Sequence, residues 1–130
     1  MIAVIDYDAG NIRSVEKALL FLGEQVRITG DAEEILSADK VILPGVGAFG
    51  DAMENIRRRG LETVIRDVAE SGKPFLGICL GLQLLFERSE EAPGVDGLGI
   101  LKGEILRIPE TEGMKIPHMG WNSLSLQNDG

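Results

Sequence analysis

Cysteine is nearly absent: Cys79 is the only one in 130 residues, so no disulfide can form within the chain and a reducing compartment, the cytoplasm, is the default expectation. Basic side chains are scarce too. Thirteen Lys and Arg stand against 21 Asp and Glu, a formal net charge of -8 that repels phosphate backbones and argues against a nucleic-acid partner. Long hydrophobic runs are missing: the longest mostly apolar stretch, Phe75 to Phe86, is too short to span a bilayer and contains Gln83. Met1 to Ile5 lacks the basic flank and the length of a signal peptide, so no membrane role is expected. No repeat or low-complexity segment is present. What remains is 44% apolar, enough for one core, and one domain over 1–130 is expected.

Hydrophobic patterning alternates between strand-like and helix-like segments. Ile2 to Ile5 reads as a first strand, and Asn11 as the cap of a helix whose Ile12, Val15, Leu19 and Leu22 share a face before Gly23 stops it. Gln25 to Ile28 is a second strand. Asp31 with Glu34 forms a capping box for a short helix, and Val41 to Leu43 is a third strand. Leu61, Val64, Ile65 and Val68 mark another apolar helical stripe, followed by the short apolar run Phe75 to Ile78. This alternation predicts an α/β fold with a mostly parallel, doubly wound sheet of the flavodoxin-like form. After Gly97, Leu98 to Leu101 and Glu104 to Ile108 around Lys102-Gly103 predict a β-hairpin or meander.

The single cysteine sits where strand should become helix, in Gly77-Ile78-Cys79-Leu80-Gly81, with Leu82, Leu85 and Phe86 at helical spacing beyond it. This is the pattern of a nucleophile elbow: a sharp turn projects the side chain, and the flanking glycines let neighbouring backbone approach. A helix N-terminus favours the thiolate, and its N–H groups, beginning with that of Leu80, face the position where an oxyanion develops. The competing reading is a structural core cysteine. The strand Val41 to Leu43 ends in Pro44-Gly45-Val46-Gly47, at the sheet edge where α/β proteins place ligands. Two glycines there allow a peptide to rotate, and an N–H near Val46 or Gly47 is expected to turn inward only when a partner or its ligand is bound. A phosphate-binding loop competes, but neither Gly-Lys-Ser/Thr nor Gly-x-Gly-x-x-Gly follows.

The segment Gly77 to Glu87 resembles the nucleophile motif of class I, triad-type glutamine amidotransferases. Asp6-Tyr7-Asp8-Ala9-Gly10-Asn11-Ile12-Arg13-Ser14-Val15, Pro44 to Phe49 and Pro117-His118-Met119-Gly120-Trp121-Asn122 are similar to the glutaminase subunits of imidazole glycerol phosphate synthases. The resemblance runs from Met1 to about Asn122. It implies that Cys79 attacks the side-chain amide of glutamine without a cofactor or metal, and that Leu80 and Val46 or Gly47 supply oxyanion-hole N–H groups. It also implies that Gly45 and Gln83 bind substrate. The implied partner is the synthase (cyclase) subunit, forming a heterodimer that uses the ammonia in histidine biosynthesis, with Asn11, His118, Met119, Trp121 and Asn122 at the interface.

The same resemblance calls for a histidine base oriented by a carboxylate, in a His-x-Glu pair. His118 is the only histidine, and no acid follows it two residues later. The 130 residues are therefore expected to be an incomplete glutaminase, with Gln127 to Gly130 a loop toward further chain and with little turnover alone. Other features have plainer readings. Asp6 and Asp8 end the first strand, where a receiver domain binds metal, but no phosphoacceptor aspartate follows the third strand; structure or partner contact is favoured. Arg57-Arg58-Arg59 reads as a solvated cluster at a helix end. Trp121 suits either core or interface, with the interface preferred. The alternatives to the glutaminase are another cysteine hydrolase on the same fold and a non-catalytic partner-binding module. Amidotransferases serving anthranilate, carbamoyl phosphate or nucleotide synthesis rank behind.

Overall fold

The computed structural model describes residues 1–128; Asp129 and Gly130, part of the expected terminal loop, lie outside the described residues. Four strands form a parallel sheet in the order β2-β1-β3-β4: β1 (Ile2–Ile5), β2 (Val26–Thr29), β3 (Lys40–Leu43) and β4 (Phe75–Gly77). Register is continuous, with Val4 beside both Ile28 and Ile42, and Ile42 beside Leu76. The chain leaves β1 for the edge strand β2, then crosses back over β1 to β3 and on to β4. Strand order thus reverses between β1 and β3, and their carboxyl ends open the crevice in which such sheets bind ligands.

Strand alternation sends two apolar sets to opposite faces. Ala3, Ile5, Val41 and Leu43 join a core with α2 (Ala32–Ser37), α3 (Phe49–Arg58), α4 (Leu61–Glu70) and α5 (Leu80–Leu84). Ile2, Val4 and Ile42 instead pack against Ile12, Val15 and Leu19 of α1 (Ile12–Phe21), none of whose residues is fully buried. The expected stripe of α4 is seen intact, with Leu61, Val64, Ile65 and Val68 all buried.

Helix ends depart from expectation for definable reasons. Asn11 holds the N-cap position of α1 but adopts φ 63°, and its side chain meets the Ser14 hydroxyl at 2.5 Å instead of a backbone N–H. Side-chain capping needs an extended N-cap backbone, which a left-handed residue does not provide. Leu22 ends that helix and is exposed. The capping box on α2 is half formed. Asp31 accepts from the Glu34 N–H at 2.9 Å, but the Glu34 carboxylate turns to Arg27 at 2.7 Å, and the Asp31 N–H donates to the Thr29 hydroxyl. The arginine cluster is paired as well as solvated: Arg57 donates to Glu62 and to the Asp96 carbonyl, and Arg59 grips Asp8 with two bonds of 2.9 and 2.7 Å.

The hairpin or meander expected about Lys102-Gly103 does not form. Instead β5 (Arg88–Ser89) and β6 (Glu104–Ile105) pair in parallel as a separate two-stranded sheet. Residues 98–101 are drawn off by the carboxyl end of α5, whose last carbonyls lack partners within the helix. The Leu98 N–H donates to Leu84 at 2.8 Å, Gly99 to Phe86 at 3.1 Å and Leu101 to Leu85 at 2.8 Å, while the Leu98 side chain is completely buried.

Candidate active site

Cys79 lies between β4 and α5 with φ 54° and ψ -117°, a conformation that costs a non-glycine residue strain and persists only where surroundings enforce it. The enforcement is visible on both sides. The Ile78 N–H donates to the Leu43 carbonyl at 3.0 Å, tying the elbow to β3, and the Gly81 N–H donates to the Ile78 carbonyl at 2.9 Å, closing the turn. A side chain on Gly81 would run into the Leu43 carbonyl, so this approach of α5 to β3 requires glycine. The thiol itself is exposed.

Across from the elbow, Pro44 and Gly45 are buried, whereas Val46 and Gly47 are exposed. The Gly45 carbonyl accepts the Leu80 N–H at 3.3 Å. The donor expected to face an oxyanion is therefore occupied in this arrangement by the loop expected to supply its partner. α5 is also shorter than the sequence pattern suggested, running only over Leu80–Leu84. Behind the loop, Tyr7 is fully buried and its hydroxyl donates to the Pro44 carbonyl at 2.6 Å. Burial pushes the Tyr7 phenol well above its ordinary pKa, and negative charge on Cys79 adds to that shift.

Gln83, half-buried one turn beyond Cys79, lines a cavity of about 360 Å³ together with Ser89, Glu90, Glu91, Ile105, Leu106 and Arg107. Its charged lining residues are already engaged: the Arg107 guanidinium donates to Glu110 at 3.0 Å, and Glu90 accepts the Arg107 N–H at 2.9 Å. Glu91 also accepts the Phe49 N–H at 2.9 Å, joining this cavity to the start of α3 and so to the Pro44–Gly47 loop. Sequence reasoning did not single out Tyr7, Glu90, Glu91 or Arg107. Tyr7 stands within a quoted motif, but nothing local marks its contact with residue 44.

The remaining expected residues divide into two groups. Asn11 belongs to the loop leaving β1, and that loop abuts the Pro44–Gly47 loop: a Cβ on Gly10 would lie 3.0 Å from Val46 Cγ2. His118, Met119, Trp121 and Asn122 lie in an exposed segment without helix or strand, and Trp121 is wholly exposed, which excludes it from the core. His118 lines a cavity formed within residues 113–119, distinct from that at Gln83.

The family profile described as glutamine amidotransferase class-I matches residues 3–129. The chain belongs to the class I glutamine amidotransferase family. Among members of this amidotransferase family, the chain is similar to imidazole glycerol phosphate synthase subunit HisH of Listeria innocua, at 52% identity over 127 residues. It is likewise similar to the subunit of the same name from Bacillus cereus, at 57% over 129 residues. These matches take in 98% and 99% of this chain but 61% of each relative, so the chain spans about three fifths of their length. A crystal structure of a glutamine amidotransferase superposes with a TM-score of 0.70 at 24% identity, covering 82% of this chain and 57% of that one, which shows the shared fold.

Proposed function

We propose that the chain carries the nucleophile half of a glutaminase that supplies ammonia to a synthase subunit forming imidazole glycerol phosphate in histidine biosynthesis. The observation that carries this reading is the strained elbow of Cys79, with the Leu80 N–H and the Pro44–Gly47 loop disposed about it. The Cys79 thiolate adds to the side-chain amide carbon of glutamine, the carbonyl π pair moves to oxygen, and the oxyanion is held by N–H donors. Collapse breaks the C–N bond. The departing nitrogen takes a proton and leaves as ammonia, and water then cleaves the thioester to glutamate and free thiol. Gly45, facing the elbow, and Gln83, one turn beyond Cys79, hold the substrate.

In the resting arrangement the Gly45 carbonyl covers the Leu80 N–H. Rotation of the Gly45–Val46 peptide frees that donor and turns the Val46 N–H toward the same point. One such donor is worth roughly 3 kcal/mol of barrier, so this rotation is a sufficient basis for activation by a partner. The partner is the synthase subunit in a cytoplasmic heterodimer, docked where Asn11, His118, Met119, Trp121 and Asn122 stand exposed. Full turnover needs a His-x-Glu pair, which these 130 residues do not contain.

Intact-mass analysis after treatment with a chloroketone analogue of glutamine tests the reading, with iodoacetamide for comparison and Cys79→Ser as control. Glutamine-protectable alkylation at Cys79 is the expected result. Alkylation by iodoacetamide alone would remove the glutaminase reading for this chain and leave the partner-binding module in its place.

A further inference from the structure

Tyr7 is the only tyrosine of the chain, and it follows β1 directly at the carboxyl edge of the sheet, where its ring is buried in the four-helix core. Its hydroxyl donates to the Pro44 carbonyl at 2.6 Å. A Cβ on Gly45 would collide with that hydroxyl, so the tyrosine oxygen is the floor on which the Pro44-Gly45 segment rests. The next carbonyl along, that of Gly45, is the one bonded to the Leu80 N–H. Two successive carbonyls of the loop thus have distinct holders: Pro44 is fixed by a buried side chain, and Gly45 by the nucleophile's own helix.

We propose that Tyr7 is a positioning residue for amide attack at Cys79: its hydroxyl pins the Pro44 carbonyl, confining loop rotation to the Gly45–Val46 peptide that covers or opens the Leu80 N–H. The inference rests on the glutaminase reading and adds to it the group that gives the loop two defined states. Without the pin, rotation spreads over neighbouring torsions and the Val46 N–H arrives out of line with the oxyanion, where a displacement of about 1 Å is costly to rate. Proline offers no N–H of its own, so its carbonyl is the one backbone group through which residue 44 can be hydrogen-bonded in place. Burial keeps the phenol protonated, and hence a donor, over the range in which a thiolate forms.

The test compares two reagents on Tyr7→Phe and the unsubstituted protein. The thiolate displaces chloride from the chloroketone while the bound analogue's carbonyl oxygen lies at the oxyanion position, whereas iodoacetamide has no amino-acid end to bind and reports thiol reactivity alone. Tyr7→Phe is expected to slow chloroketone alkylation of Cys79 by about tenfold, with the saturation constant and the iodoacetamide rate each within about twofold. Unchanged rates with both reagents, or equal losses with both, overturn the proposal, since a purely structural role predicts equal losses. Uniform replacement by 3-fluorotyrosine alters this one site without removing the ring and decides the matter should Tyr7→Phe fail to fold. Its stronger donor hydroxyl is expected to raise the chloroketone-to-iodoacetamide rate ratio about twofold, and an unchanged ratio overturns the proposal. Lack of glutamine-protectable alkylation in the unsubstituted protein removes the glutaminase reading itself, and the role of Tyr7 with it.

Discussion

One face of the sheet lies under α2, α3, α4 and α5, and there Leu43, Phe49, Ile65 and Val68 have no solvent exposure; the other lies under α1 alone and leaves Leu76 54% exposed. The strands do not explain this contrast, because Ile2, Val4 and Ile42 on the thinly covered side are as apolar as Ala3, Ile5, Val41 and Leu43 on the other. Helix cover explains it: Ile2, Val4 and Ile42 are buried with α1 over them, whereas Leu76, on the edge strand β4, lies outside that cluster. Candidate chemistry sits with the thicker layer: Tyr7, Leu80 and the loop-bearing end of β3 all belong to the four-helix core. Holding a non-glycine residue, Cys79, at φ 54° requires surroundings that cannot relax, and a close-packed layer supplies them.

The sharpest way to break the comparison is a pair of truncations in adjacent strands. Leu43→Ala is expected to cost about 3 kcal/mol by transfer and cavity terms. Leu76→Ala, already half exposed, is expected to cost less than about 1 kcal/mol. Urea denaturation of both reads the difference, and equal losses would show that the α1 side is packed as tightly as the other.

Alkaline titration probes the thick side through Tyr7. Its folded pKa lies above the ordinary value of 10.0, so above that pH the unfolded chain loses the phenolic proton while the folded chain keeps it. Stability is therefore fully present below pH 10.0 and falls above it, by up to about 1.4 kcal/mol per further pH unit until the folded phenol also ionises. Tyr7→Phe should remove that dependence. A fall of equal slope in the variant would place its source elsewhere.

Caps give the smallest contrast. Asp31→Ala removes a bonded cap from α2, a member of the thick layer, and is expected to lower stability by about 1 kcal/mol. Asn11→Gly, on α1, removes no backbone-capping bond and relieves a left-handed asparagine, so a change within about 0.5 kcal/mol is expected. Thermal unfolding of the two variants distinguishes these outcomes.

Much of this was legible in the residues. The buried run Ile2–Ile5, the stripe Leu61-Val64-Ile65-Val68 and the glycine-flanked Cys79 are local patterns, and each is found in its expected place. The misses share a cause. Alternation predicts a hairpin or meander at residues 98–108 because it shows which residues suit a strand, not that the N–H groups of Leu98, Gly99 and Leu101 are claimed by the end of α5. Arg57 to Arg59 are exposed as expected, but their pairing is hidden from local sequence because Asp8 stands 51 residues from Arg59.

By itself, then, the sequence determined the parallel α/β architecture, the family and the turn that carries Cys79, all of which follow from short-range periodicity and contiguous motifs. Tertiary structure alone decided that the Gly45 carbonyl covers the Leu80 N–H and that Tyr7 holds Pro44 from 37 residues away. Those bonds join segments that meet only after the strands have aligned. Hydrogen-bond geometry between them depends on register and packing, which no local pattern of side chains encodes.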